Sequence, residues 1–295
     1  MSDVAVAPVV LAEADWTERE RRHLARAESF LGPHRVRAGR GEAHPVWDFL
    51  FSYYSLRPRQ LRRWHPGYGV ALDGTAAEVF LARSGYRRRG TAVTVGQDLL
   101  RARLETVVFI AELLGATAAR PARLNCFGLH EWAMVYRADD VRHGQVPLRL
   151  GSAGTDAVVE SMPLRCSHFD AYRFFTEPAA PRNAEALTRD TQVATEQPGC
   201  VHATMDLYKW CYKLGPLVPS DLLMDCLDLA AEARMLDMRA SPYDLAAYGF
   251  SPIAVETPTG RAEYVRSQEA LAQRAAPLRA ALLVWCGELI EAADG

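Results

Sequence analysis

The sequence predicts a mainly α protein: a single-domain bundle of many helices with a few short strands or irregular segments. Three observations predict it. Long windows beginning at Gln97, Ser220 and Arg261 carry apolar residues at i, i+3, i+4 and i+7, the spacing of a helix with one buried face. Pro, Gly, Ser and Asp fall between these windows, where helices start and stop. No repeat of about 20 to 50 residues and no low-complexity tract is present, which leaves solenoids and long linkers unsupported.

In chain order, residues 1–13 read as a small-residue leader and 14–295 as one helical domain. Asp15 is placed to cap a helix whose Trp16, Leu24, Ala27 and Phe30 share a stripe and which Gly32-Pro33 should end. After a polar stretch, Arg35 to Glu42, Pro45 stands at the first position of a second helix, with His44 and Asp48 four apart and Phe49, Leu50, Tyr53 and Tyr54 as its apolar body. Pro58 opens a short helix running to Trp64, stopped by His65-Pro66-Gly67. Residues 68–97 are the least helical part, two strand-like or irregular pieces around Gly85 and Gly90, with Arg87 to Arg89 as a solvated loop.

Gln97 to Gly115 reads as a buried helix. LNCFGLHEWAMVY, after Pro121, is a helix bearing His130 and Glu131, and a polar turn follows from Ala138 to Pro147. Val158-Val159 and Leu164 suggest short strands or extended chain. Ser167 caps a helical turn in which His168 and Tyr172 are four apart. A helix from Ala184 to Val193 leads to Pro198-Gly199, a turn that starts the helix carrying Cys200, His202, Asp206 and Lys209. Pro219-Ser220 caps a strong helix, residues 240–260 are loops and turns, and Arg261 to about Ala292 is a long final helix with an interruption expected at Pro277.

Composition narrows the function. Of 295 residues, 49 % are hydrophobic and 24 % charged, the balance of a globular chain with a large core. Lys plus Arg (34) against Asp plus Glu (36) gives a net charge of −2, so there is no basic excess to neutralise a phosphate backbone, and nucleic acid is not the favoured partner. The six cysteines form no CxxC, no signal peptide is visible and no run approaches about 18 apolar residues, which together point to reduced thiols in a cytoplasmic protein with no membrane span. No feature indicates an oligomeric state.

Signatures of nucleotide cofactors, P-loops, zincins, nucleophile elbows and kinases are absent. What remains is a scatter of His and acid neighbours, a donor set that suits Fe, Mn or Zn when facing helices converge. His202 and Asp206 share one helix face at i, i+4, with Lys209 at i+7. Glu196 joins them only if the Pro-Gly turn folds it back. Glu196, His202 and Asp206 are therefore the expected catalytic groups. His44, Asp48, His130, His168 and His202 are the expected metal ligands, and Arg239, Lys209 and Trp64 the expected substrate contacts. The competing reading of each pair is a His hydrogen-bonded to a neighbouring acid. Glu232, Asp237, Arg239 and Asp244 also read as an Arg-carboxylate network tying down a helix end.

Across nearly its whole length, most visibly in HPVWDFLFSYYSLRP (44–58), RRWHPG (62–67), CSHFDAYRFFTEPAAPRN (166–183), EQPGCVHATMDLYKW (196–210) and MRASPYDL (238–245), the chain resembles an actinobacterial family commonly named 3-methyladenine DNA glycosylase. The resemblance implies hydrolysis of the N-glycosidic bond of alkylated purines, with a base flipped into an aromatic pocket and an acid activating water. It carries over no catalytic residue. The chain lacks a helix-hairpin-helix with its Gly-rich hairpin and following Asp. From the residues themselves, the expectation is an enzyme acting on a small polar or nucleobase-like substrate through a His/carboxylate centre, with a divalent metal; the alternatives are the N-glycosylase and a non-catalytic helical binding protein.

Overall fold

The computed structural model describes residues 9–138 and 145–294. The chain is mainly α. Its strands, β1 (Val9–Leu11), β2 (Val70–Leu72), β3 (Tyr86–Arg89) and β4 (Ala92–Val95), make one small sheet in the order β1-β2-β4-β3. β1 runs parallel to β2 with Val9 opposite Val70, and the other pairs are antiparallel, with Ala71 opposite Thr94 and Tyr86 opposite Val95. Part of the expected leader is thus a strand. The rest of it, residues 1–8, and most of the turn expected from Ala138 to Pro147 lie outside the described residues.

The helices are α1 (Glu13–Gly39), α2 (Phe49–Ser52), α3 (Pro58–Leu61), α4 (Gln97–Ala118), α5 (Leu129–Ala133), α6 (Gly151–Ser161), α7 (Phe169–Tyr172), α8 (Gln192–Thr195), α9 (Val201–Leu214), α10 (Ser220–Ala240) and α11 (Pro258–Asp294). α9 packs against α10, α11 and α4; α11 also lies along α4 and α10, and α1 on α10. α9 is therefore the inner helix, and the periodic faces of α4, α10 and α11 close around it.

Four expectations are corrected. α1 passes through Gly32-Pro33, because Leu31 is buried on one side of the proline while His34 and Arg37 grip Asp48 on the other. These anchors hold a turn that an isolated proline would break at a cost of about 3 kcal/mol. α11 likewise continues through Pro277, flanked by buried Ala275 and Arg279. Val158 and Val159 lie in α6, not in strands. The helix expected from Ala184 to Val193 shrinks to α8, because the Asn183 side chain bonds the backbone of Cys166 and Glu185 and holds the chain extended there.

Trp64 is 2 % exposed in the core, stacked on Trp16 at 6.5 Å, with the Phe80 ring edge-on to both. Its expected role as a substrate contact is corrected to a packing role. No helix among the described residues is long and apolar enough to cross a membrane.

Candidate functional site

The site is built on α9. Every residue from Val201 to Cys211 is buried, so its polar side chains have little access to bulk water and must find partners inside. The turn that starts the helix is pinned by Gln197, whose amide accepts from the Arg123 and Gly199 N–H groups at 2.8 Å each and donates to the Arg123 carbonyl at 3.1 Å. A Cβ at Gly199 would lie 2.8 Å from the Arg123 oxygen, so only glycine lets the two backbones meet. This turn does fold Glu196 back toward α9.

Three histidines then stand in a row across the core. The His202 ring lies 4.5 Å from that of His130, nearly perpendicular at 77°, and 5.3 Å from that of His168, tilted by 30°. His130 enters on α5, whose start requires Gly128 in the left-handed region (φ +71°) with its Cα close against Ala240. His168 enters just before α7. Each outer histidine faces carboxylates. His130 Nε2 is 2.7 Å from Asp237 Oδ1, and Arg234 reaches Glu131 at 2.7 Å and Asp237 Oδ2 at 3.2 Å. His168 Nε2 is 3.3 Å from both Glu196 Oε1 and Asp206 Oδ2.

Lys209 closes the far end, 2.7 Å from Asp206 Oδ2 and 2.7 Å from Asp170 Oδ2, with Nζ 4.3 Å from the centre of the Trp210 ring. Two of its three donors are committed to these carboxylates, so the expected anion clamp is first of all an internal bridge between Asp206 and Asp170. Asp170 in turn receives Arg189 at 2.9 Å and Arg173 at 3.4 Å on its other oxygen.

Electrostatics set the protonation states. Burial works against a charged imidazole, yet the Glu196 and Asp206 carboxylates raise His168 above its ordinary value, and Asp237 does the same more strongly for His130. His202 is driven well below the usual histidine range by burial and then by its two neighbouring histidines, so it is neutral. Burial alone would raise Asp206, but the Lys209 ammonium and His168 hold it well below the usual carboxylate range. Glu196 goes up, because burial outweighs its neighbours. Two carboxylates one imidazole apart are thus pushed in opposite directions, a pattern of acid-base sites.

Among the described residues two groups of donors come close enough to hold a cation: His168, Glu196 and Asp206, and His130, His202 and Asp237. The first fits better. Donors about 2.1 Å from one ion lie about 3.0 to 3.4 Å apart at octahedral or tetrahedral angles, which is the 3.3 Å separation of His168 Nε2 from both carboxylates. Those contacts lack hydrogen-bond geometry, and both His168 nitrogens and Asp206 Oδ1 are buried without a hydrogen-bond partner. In the first group Glu196 Oε1 also accepts from Gln192 at 2.6 Å and Asp206 Oδ2 from Lys209 at 2.7 Å; in the second, His130 Nε2 itself is committed to Asp237 at 2.7 Å. His202 Nδ1 has no partner either.

Of the expected site residues, the fold brings together Glu196, His202, Asp206, His130, His168 and Lys209. His44 and Asp48 belong to neither donor group and are corrected as ligands. Asp48 sits in a turn, holding the His44 N–H at 2.8 Å, His34 at 2.9 Å and Arg37, while the His44 ring packs on Trp47, Tyr248 and Phe250. Arg239 is corrected as well: it donates to the Ser251 carbonyl at 2.9 Å and pairs with Glu263, tying α10 to α11. Arg234 and the siting of Asp237 were missed. Asp237 lies seven residues after Ala230 and four after Ala233, on the inward stripe of α10, and an acid on an apolar stripe was the available signal.

Comparison of the chain with protein-family models, with curated proteins and with solved structures finds no match in any of the three, so the chemistry is read from the site itself.

Proposed function

We propose that the protein is an enzyme that acts on a small polar or nucleobase-like substrate at this buried centre, with one divalent ion (Fe, Mn or Zn) held by His168, Glu196 and Asp206. The observation that carries the reading is that His168 Nε2 stands 3.3 Å from a carboxylate oxygen of both Glu196 and Asp206 without hydrogen-bond geometry, in a site 1 to 2 % exposed. The charges around it are shared: Lys209 bridges Asp206 and Asp170, and the buried Arg279 guanidinium acts on Glu196.

An ion bound there supplies Lewis acidity and a water of lowered pKa. The residues around it have separate tasks. Lys209 keeps Asp206 ionised, and Gln192 fixes the Glu196 carboxylate through a 2.6 Å hydrogen bond. Neutral His202, with Nδ1 lacking a hydrogen-bond partner among the described residues, is placed to hydrogen-bond a group beside the centre. Metal analysis of the purified protein, incubated with each ion and desalted, tests the reading. About one equivalent is expected, falling at least about tenfold in His168→Ala and in the near-isosteric Glu196→Gln. Less than about 0.2 equivalents of every ion in a folded wild type refutes it. Release of a free base from alkylated duplex DNA would instead assign the substrate to the glycosidic bond.

A further inference from the structure

The centre lies beneath a cleft of about 500 Å³, whose floor includes Lys209 and Asp170. Tyr53 and Asp170 also line a smaller chamber that reaches His202, so the cleft leads toward the histidine row. A cleft of this size encloses a ligand with a ring and a charged group.

The lining includes the rings of Tyr53, Phe109 and Tyr212. It also includes Arg173 and Arg189, both exposed, of which Arg189 donates to Asp170 Oδ1 at 2.9 Å and Arg173 is ion-paired with the same oxygen at 3.4 Å. Each guanidinium also lies over a ring, Arg173 at 4.4 Å from the centre of Phe174 and Arg189 at 4.8 Å from that of Phe169. Two flexible side chains are thus fixed by a shared carboxylate beneath them and an aromatic platform beside them, which removes much of the rotamer entropy a ligand would otherwise have to overcome. Asp170 is also the partner of Lys209, so a single carboxylate answers three cations. Lys213, one turn beyond Lys209 on α9, adds a fourth cation to the rim, and Glu105 is the cleft's other acid. The cleft lining therefore carries four cations, Arg173, Arg189, Lys209 and Lys213, against the carboxylates of Asp170 and Glu105, a balance that suits an anionic group such as a phosphate.

We propose that the cleft binds a mononucleotide-class ligand, its planar ring against Tyr53, Phe109 and Tyr212 and its phosphate on the guanidinium pair Arg173 and Arg189, with Lys213 at the rim. The inference deepens the reading above, and rests on it for the claim that this ligand is the substrate. The binding itself does not depend on a metal, because no cleft cation is a donor of the centre.

Calorimetric titration with AMP, GMP, CMP and UMP tests it, with adenosine and ribose 5-phosphate as probes that lack the phosphate or the ring. At least one nucleotide is expected to bind below about 1 mM, at least about tenfold tighter than either control. The double variant Arg173→Gln/Arg189→Gln, on the exposed rim, should weaken it at least about tenfold, and Phe109→Ala about threefold or more. Binding should persist in chelator-treated protein; nucleotide binding in a protein that takes up no metal would support this inference while overturning the metal reading. Failure of all four nucleotides, equal binding of a control, or an unchanged affinity in the folded double variant overturns it.

Discussion

Replacing Lys209 by Met keeps the length of the side chain and deletes one charge from the middle of the site. Nζ is 2.7 Å from a carboxylate oxygen of Asp206, which is 1 % exposed, and 2.7 Å from one of Asp170. The two acids are left unequally placed. Asp170 keeps the cations Arg189 and Arg173, whereas Asp206 keeps the 3.3 Å contact with His168 and the neighbouring Tyr54 hydroxyl. Removing one partner of a buried pair costs about 3 to 5 kcal/mol, and proton uptake near Asp206 should hold the cost to the lower end, about 3. At about 2 to 4 °C per kcal/mol for a chain somewhat smaller than this one, the thermal midpoint of metal-free protein at pH 7 should fall by about 6 to 12 °C, read by circular dichroism. The double variant Lys209→Met/Asp206→Asn should recover at least about half of that, since the uncompensated charge is then absent. A bound divalent ion should also raise the midpoint of Lys209→Met more than that of the wild type, because the ammonium and the ion compete for Asp206. A fall of less than about 2 °C, or a double variant no better than the single one, would refute the view that Lys209 compensates a buried charge.

Two further outcomes follow from residues outside the donor set. Gly199→Ala places a methyl group 2.8 Å from the Arg123 oxygen and 3.0 Å from the Gln197 side chain, so it should destabilise by about 1 to 3 kcal/mol in urea unfolding and lower metal content as the start of α9 shifts; an unperturbed variant would show that the turn does not position the site. His65, bonded to the Tyr86 hydroxyl at 2.8 Å, is lowered to about 3 by burial and then by Arg83. Its folded value is below its unfolded one, so the unfolded chain takes up the proton first. The stability it contributes is present above about pH 6.5 and is lost as pH falls toward about 3, by at most about 1.4 kcal/mol per pH unit and less where water reaches the ring. His65→Gln should flatten the slope of stability between about pH 6.5 and 5, and identical slopes would rule the effect out.

The legibility of the site in the sequence followed the range of the interactions. His202 and Asp206 could be paired from their spacing, because four residues along a helix return to the same face whatever surrounds it. His168 and Glu196 were visible as donors, but their meeting depends on Gln197 and Gly199 clasping Arg123, more than 70 residues away in the chain. The same spacing misled at His44 and Asp48, where the chain makes a turn and Asp48 serves α1 instead. Trp64 looked accessible beside arginines and proved to be core, since an aromatic residue in a basic stretch carries no local sign of which way it points.

By itself the sequence determined that the protein is mainly helical, which windows are its long helices, and that α9 carries polar and titratable side chains on one face. Those features are written in local periodicity and in the cost of burying polar groups, which act within a few residues. Only the tertiary structure decided that α1 and α11 continue through their prolines, that Lys209 bridges Asp206 and Asp170, and that His130, His202 and His168 align across the core. Each of these is fixed by contacts between segments far apart in the chain, where burial strengthens every charge interaction and a partner is settled by packing, not by spacing.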